Sequence, residues 1–232
     1  MNALILCGGL GTRLRSEIGQ TQKVMALVGG RPFLDFNVEF LKSQGVREIV
    51  LCVGFQANQV ENFFNVEKAH ELGERIVISR EEDPLGTGGA IQNAKEFIKS
   101  NPFFVLNGDS FCRVDLKAVL DFHQKKKALA TVVLSKVTET TDYGRVTIDQ
   151  KGQILNFKEK EKHGEGYVNA GIYCLDKKIF QLMPKEAKFS IERDCFPKWI
   201  GECFFGFPIN QEFYDIGTPE RYGKIKEELK GK

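Results

Sequence analysis

Through the first half of the chain, short apolar runs alternate with amphipathic stretches. This is the pattern of βα units laid on a largely parallel sheet. Ala3–Cys7 is a continuous apolar run, as a strand buried on both faces requires. Arg31–Gly45 predicts a helix: Pro32 suits a first turn, Phe33, Phe36, Phe40 and Leu41 share one face, and Gly45 suits the C-terminal cap. Ile49–Val53 predicts a second buried strand, Gln56–Phe64 a helix and Arg75–Ser79 a third strand. Thr87 can cap a helix running to about Ile98. Phe103–Leu106 predicts a fourth strand ending in Asn107-Gly108-Asp109. Asp115 can cap a helix over Leu116–Lys126, and Thr131–Ser135 predicts a fifth strand.

After Lys136 the pattern changes. Arg145–Asp149 and Gln153–Phe157 predict a hairpin closed by Asp149-Gln150-Lys151-Gly152. Tyr167–Cys174 predicts a strand with no crossover helix before it, and Phe204–Pro208 and Glu212–Tyr214 predict short strands. Thr218 can cap a last helix, with Pro219 at its first position and Glu220 beside the positive end of its dipole. A parallel half is thus followed by a more antiparallel half, with no repeat or low-complexity linker between them. The expected fold class is α/β: one domain over residues 1–232, three-layer and Rossmann-like, around a mixed, mainly parallel sheet.

Composition narrows the function more than the fold. A chain of 232 residues, 42% hydrophobic and 28% charged, can bury a large core without disulfides or a structural metal. The net charge of +2 leaves no bulk basic field for nucleic acid or membrane, so neither is an expected partner. No apolar run is long enough to span a bilayer. Met1 leads straight into the first strand, so no signal peptide is expected and a cytoplasmic location is. Cys7, Cys52, Cys112, Cys174, Cys195 and Cys203 form no CxxC pair. They read as small hydrophobes in a reducing compartment rather than zinc ligands.

The first candidate chemistry is the loop Leu6-Cys7-Gly8-Gly9-Leu10-Gly11-Thr12-Arg13-Leu14. Glycines after a strand let backbone amides approach phosphate oxygens. The spacing is not that of a dinucleotide-binding fingerprint, because Leu14 stands where a third glycine would, and no GK[ST] makes it a Walker A loop. Glycines alone fit a tight turn as well as a phosphate site. Arg13 and Lys23 favour a polyphosphate, since a cation beside a nest of amides suits one.

The run GGLGTRL, followed by Lys23 and Met25, resembles the signature of sugar-1-phosphate nucleotidylyltransferases, GGxGTRL and then a Pro-Lys-Pro-Met-like segment. The resemblance continues through Glu81-Glu82-Asp83-Pro84-Leu85-Gly86-Thr87-Gly88-Gly89-Ala90, Asn107-Gly108-Asp109, Tyr143-Gly144, Glu159-Lys160, Val168-Asn169-Ala170-Gly171 and Tyr214-Asp215-Ile216-Gly217-Thr218-Pro219. These motifs stand in family order and cover nearly the whole chain. The chain departs from the pattern at Gln22 and Val24, which replace the prolines flanking the signature lysine. Their loss predicts a more flexible loop and a less firmly held Lys23.

The resemblance implies the sheet of the nucleotide-diphospho-sugar transferases, with residues 1–136 mainly binding nucleotide and 137–232 mainly binding sugar phosphate. It implies attack of a sugar 1-phosphate oxygen on the α-phosphorus of a nucleoside triphosphate, with release of pyrophosphate. Catalysis would rest on alignment and charge screening. Mg²⁺ would be the cofactor, held by Asp109 and Asp215. Arg13 and Lys23 would neutralise the triphosphate, making Arg13, Lys23 and Asp109 the catalytic set. Leu6, Gly8, Gly9, Gly11, Thr12, Glu81, Gly86 and Thr87 would bind the nucleotide. Gly144, Glu159, Lys160 and Asn169 would bind the sugar phosphate.

Glu81 stands where relatives read the base. A carboxylate only accepts hydrogen bonds, and guanine offers two adjacent donors where uracil and thymine offer one, which favours GTP. Within the family the chain is most similar to short guanylyltransferases acting on a manno-heptose 1-phosphate. Mannose 1-phosphate guanylyltransferases and uridylyl or thymidylyl transferases are the alternatives. A homo-oligomer is compatible with all of these. An inactive regulatory homologue would be expected to lose Arg13, Lys23 or the aspartates, and none is lost. A glycosyltransferase would be expected to carry an Asp-x-Asp motif, of which Asn107-Gly108-Asp109 is half.

Overall fold

The computed structural model describes residues 1–64, 75–138, 145–158 and 164–228. The first apolar run forms β1 (Asn2–Leu6). A short helix α1 (Arg15–Ile18), a small ribbon of β2 (Leu27–Val28) and β3 (Arg31–Pro32), and α2 (Phe33–Ser43) follow. Pro32 precedes α2 instead of entering its first turn, because it pairs with Leu27 in the ribbon. Next come β4 (Glu48–Val53), α3 (Ala57–Phe63), β5 (Arg75–Arg80), α4 (Gly86–Asn93), β6 (Phe103–Asn107) and β7 (Ser110–Cys112). The second half carries α5 (Leu116–Lys126), β8 (Ala130–Val137), β9 (Arg145–Ile148), β10 (Ile154–Lys158), β11 (Gly166–Leu175), α6 (Ile179–Leu182), α7 (Phe196–Trp199), β12 (Phe204–Ile209), β13 (Phe213–Asp215) and α8 (Pro219–Glu228).

The main sheet runs β10-β9-β11-β6-β1-β4-β5, with β8 along β11 and β12 beyond it. β6, β1, β4 and β5 are parallel, while β11 is antiparallel to β6, β8 and β9. The alternation of strand side chains explains the continuous apolar runs. Ile5, Leu51 and Phe104 join one core with α2, α3, α5 and α8, whereas Leu4, Val50 and Val105 join another with α4, α6 and α7. Both faces are covered, which makes three layers. Each fully buried Leu, Ile or Phe side chain contributes roughly 1.5–3 kcal/mol.

Local signals read from the sequence have visible causes. Asp115 Oδ1 accepts from the amides of Lys117 and Ala118 at 2.9 and 3.1 Å, so α5 starts where its cap stands. Asp149 Oδ1 accepts from the amides of Lys151 and Gln153, both at 2.8 Å, and closes the β9–β10 hairpin. The helix expected from Thr87 to about Ile98 is shorter. α4 stops at Asn93, a 3₁₀ turn covers Lys95–Phe97, and Thr87 lies inside α4 with its hydroxyl engaged elsewhere rather than capping. All six cysteines are free, five buried and Cys203 exposed. Among the described residues no helix is long and apolar enough to cross a membrane.

Candidate active site

Two adjacent parallel strands set the site. β1 ends at the Gly-rich loop and β6 ends at Asn107-Gly108-Asp109, and Gly108 donates to the Leu6 carbonyl at 3.0 Å. Loops leaving the carboxyl ends of such strands form the binding crevice of open α/β sheets. A cavity of about 270 Å³ opens there. Of the residues singled out from the sequence, Leu6, Gly8, Gly9, Lys23, Glu81, Gly86, Thr87 and Asp109 line it. Val24, Asn107 and Ala90 line it as well, without having been assigned a role.

At the cavity's charged end Lys23 Nζ lies 2.5 Å from Asp109 Oδ2. The lysine is buried, while 39% of the Asp109 side chain remains exposed. Burial pushes the Asp109 carboxyl up, but the Lys23 charge and hydrogen bonds from Lys23 and Ser110 outweigh it and hold the group below the usual carboxylate range. Gly11 has φ 58° and a Cβ there would sit 3.1 Å from Lys23 Cβ, so glycine lets the loop close against the lysine. Where the sequence predicts a loosened loop at Gln22 and Val24, the structure shows side-chain and backbone bonds in place of the prolines. Gln22 is fully buried, accepts from the Val24 amide at 2.6 Å, and donates to the Cys7 carbonyl.

Glu81, just after β5, lines the same cavity from a strand end separated from β6 by β1 and β4. It is buried beside Gly8, where a Cβ would come within 3.2 Å of its Oε1, and its Oε2 accepts from the Leu85 amide at 3.1 Å. Burial raises its pKa, and the Leu85 hydrogen bond offsets only part of that.

A hydrogen-bond chain links the two halves. Thr87 Oγ1 donates to Glu192 Oε2 at 2.5 Å, and Ser190 Oγ donates to the same oxygen at 2.7 Å. The buried Tyr173 hydroxyl donates to Glu192 Oε1 at 3.1 Å and accepts from Asn169 Nδ2 at 2.8 Å. Asn169 is aimed by a bulge in β11. The β11–β8 register shifts between Asn169 and Tyr173, Gly171 has φ 72°, and its amide donates to Asn169 Oδ1 at 2.9 Å. Glu192 lies in a π-helical turn, Ile191–Cys195, which hydrophobic periodicity does not reveal.

The remaining candidates lie elsewhere. Asp215 ends β13 opposite Ser110 of β7, so its backbone adjoins Asp109, and the Ile216 amide donates to the Asp109 carbonyl at 3.0 Å. Its carboxylate meets Arg221 Nη1 at 3.0 and 3.1 Å, and Oδ1 also accepts from the Gly217 amide at 2.7 Å. Thr12 and Arg13 are exposed in a 3₁₀ turn beyond the loop. Gly144, Glu159 and Lys160 lie outside the described residues.

The family described as nucleotidyl transferase matches residues 2–231. The chain belongs to that family. It is 40% identical over 226 residues, 96% of this chain and 97% of its relative, to D-glycero-alpha-D-manno-heptose 1-phosphate guanylyltransferase of Campylobacter jejuni. It is 37% identical over 230 residues, 99% of this chain and 98% of its relative, to the protein of that name from Aneurinibacillus thermoaerophilus. The crystal structure of HddC from Yersinia pseudotuberculosis complexed with GMP-PN superposes with a TM-score of 0.87 at 36% identity, covering 98% of this chain and 99% of that one. The expected family and mixed α/β sheet therefore stand.

Proposed function

We propose that this chain transfers GMP from GTP to D-glycero-α-D-manno-heptose 1-phosphate, forming the nucleotide sugar and pyrophosphate. The observation that carries this reading is the placement of Glu81. An acceptor-only side chain stands beside Gly8 just after β5, and β4 and β1 lie between that strand and β6, which leads to Asp109 and its Lys23 partner. That polarity suits a base with two adjacent donors at one end and a triphosphate at the other. The relatives' names support the same nucleotide and sugar.

In this reading Leu6, Gly8, Gly9, Gly11, Thr12, Gly86 and Thr87 surround the nucleotide with backbone and small side chains. Lys23 and Arg13 screen the phosphates, so that one polyanion can approach another. Asn169, with Gly144, Glu159 and Lys160, receives the sugar phosphate. Asp109 and Asp215 are the proposed holders of Mg²⁺. Asp109 fits: its carboxylate is 39% exposed, a hard oxygen donor, and its Oδ1 accepts from the Ser110 hydroxyl at 3.3 Å while Oδ2 meets Lys23. Asp215 fits once Arg221 yields an oxygen. Among the described residues no cluster of three or more His, Cys, Asp or Glu could hold a metal. Mg²⁺ uses one or two carboxylates and completes its shell with water and substrate phosphate, so the two aspartates would be enough to hold it. When bound, the ion supplies charge neutralisation on the phosphates. The free buried thiols suit a cytoplasmic enzyme.

The test is a pyrophosphate-release assay crossing GTP, ATP, UTP, CTP and dTTP with heptose, mannose and glucose 1-phosphates, with and without Mg²⁺. GTP with the manno-heptose 1-phosphate should give the highest kcat/KM, and chelator should abolish it. Preference for UTP or dTTP overturns the base assignment. Preference for mannose 1-phosphate overturns the sugar assignment.

A further inference from the structure

Gln22 has backbone angles φ −62° and ψ 135°, the first of which a proline ring would hold by itself. Gln22 holds them with bonds. Its amide N–H donates to Gln59 Oε1 of α3 at 2.8 Å, its side-chain Oε1 accepts from the Val24 amide at 2.6 Å, and its Nε2 donates to the Cys7 carbonyl. The Val24 bond caps the 3₁₀ turn that carries Lys23, and the Cys7 bond reaches the residue before Gly8. Gln22 is 0% exposed, so both ends of its amide depend on these partners. One side chain therefore ties the turn that presents Lys23 to Asp109 to the root of the Gly-rich loop that walls the cavity.

We propose that Gln22 is a positioning residue for the nucleotide side of the reaction: it locks the Lys23 turn to the Gly-rich loop as one rigid unit, in place of a proline restraint. This rests on the guanylyltransferase reading given above. The two side-chain bonds have separate jobs. The Val24 bond shapes the turn, and the Cys7 bond sets its distance from the loop. Val24 belongs to the device, because a residue with an N–H at that buried place needs the acceptor that Gln22 supplies.

Two variants separate the bonds. Gln22→Glu keeps size and the acceptor for Val24 but loses the donor and turns a carboxylate oxygen toward the Cys7 carbonyl. Gln22→Met keeps volume and loses both bonds. The KM for GTP should rise roughly fivefold to thirtyfold in both, the scale of one or two lost buried hydrogen bonds. The KM for the sugar 1-phosphate at saturating GTP should stay within about threefold, because the altered contacts face the nucleotide. An unchanged KM for GTP in both first variants overturns the proposal. So does an equal rise for both substrates accompanied by a fall in the ligand-free melting temperature, which would mark Gln22 as general scaffold. If Gln22→Glu and Gln22→Met do not fold, Gln59→Leu removes the partner of the Gln22 amide from half-buried α3. It should raise the KM for GTP alone, and an unchanged value there overturns the proposal. A wild-type protein that turns over no sugar 1-phosphate refutes the reaction but not the lock. The rise in melting temperature caused by GTP is then compared between wild type and variants. A smaller rise in the variants supports the lock, and an equal one overturns it.

Discussion

Two aspartates at neighbouring backbone positions meet different cations, and the contrast is between a carboxylate bonded to its cation through one oxygen and a carboxylate engaged through both. Asp109 faces Lys23, which lies 86 residues away in sequence, through one oxygen. Asp215 faces Arg221, six residues away on α8, through both oxygens, and also closes the turn at Gly217. Lysine is a compact point charge that leaves the other carboxylate oxygen available, whereas arginine spreads several donors over its partner. Asp109 is half-exposed at the cavity and Asp215 is nearly buried beside it. The first pair lines the cavity. The second fixes the corner where β13 passes into α8.

The largest effect should come from Asp109→Asn. We expect kcat to fall roughly a hundred- to a thousandfold, the range for losing one group aimed at transition-state charge. The melting temperature should fall less than for Asp215→Asn: the buried Lys23 loses its counter-charge, but Asp109 is 39% exposed and meets the lysine through one oxygen. Turnover within tenfold of wild type would break the comparison. Asp215→Asn should show the reverse balance. Leaving Arg221 without its carboxylate should cost about 3 kcal/mol, seen by denaturant titration, with a smaller loss of kcat than Asp109→Asn. Equal losses of kcat with unchanged stability would make Asp215 the metal ligand's full partner and erase the distinction.

Glu81→Gln sharpens the contrast at the strand end beyond β1 and β4. It removes one of two matched acceptors for guanine, a loss of roughly 1.5–3 kcal/mol, or about ten- to a hundredfold in the ratio of kcat/KM for GTP over UTP. An unchanged ratio would show that Glu81 does not read the base.

The smallest effect is in pH dependence. Because burial raises the Glu81 pKa, the folded state takes up its proton before the unfolded chain does. The acid limb of kcat/KM for GTP should therefore lie above the ordinary glutamate value of about 4.3 and vanish in Glu81→Gln. Asp109 runs the other way. Its folded pKa is depressed, so its contribution to stability is present above about 3.9 and is lost as pH falls through the lower folded value.

Several features were legible along the chain because their causes are local. The apolar runs marked β1, β4 and β6, since a strand buried on both faces has no polar alternation to hide it. Asp115 and Asp149 announced a cap and a turn, because a short acceptor bonds amides two to four residues on. Glycines and aspartates in motif order led to the cavity, because strand ends are where an open sheet exposes backbone.

Other features depend on partners that no window of sequence contains. The β7–β13 pair, which sets Asp215 beside Ser110, joins segments about a hundred residues apart. Glu192 gathers Thr87, Ser190 and Tyr173 from three elements. Gln22 is the clearest case. On composition, losing the prolines at positions 22 and 24 weakens a loop. In the fold, the Cys7 carbonyl, the Val24 amide and Gln59 surround Gln22 and convert it into a restraint. Burial decides the sign: a glutamine amide is flexible in water, but in a closed pocket its donors and acceptor must find partners, and they hold the chain that carries Lys23. Periodicity and turn chemistry act over a few residues, so the sequence by itself determined the buried strands, the Asp115 cap, the Asp149 turn and the candidate chemistry. Which carboxylate stays open and which cation is held was decided by contacts that exist only once the chain has closed on itself.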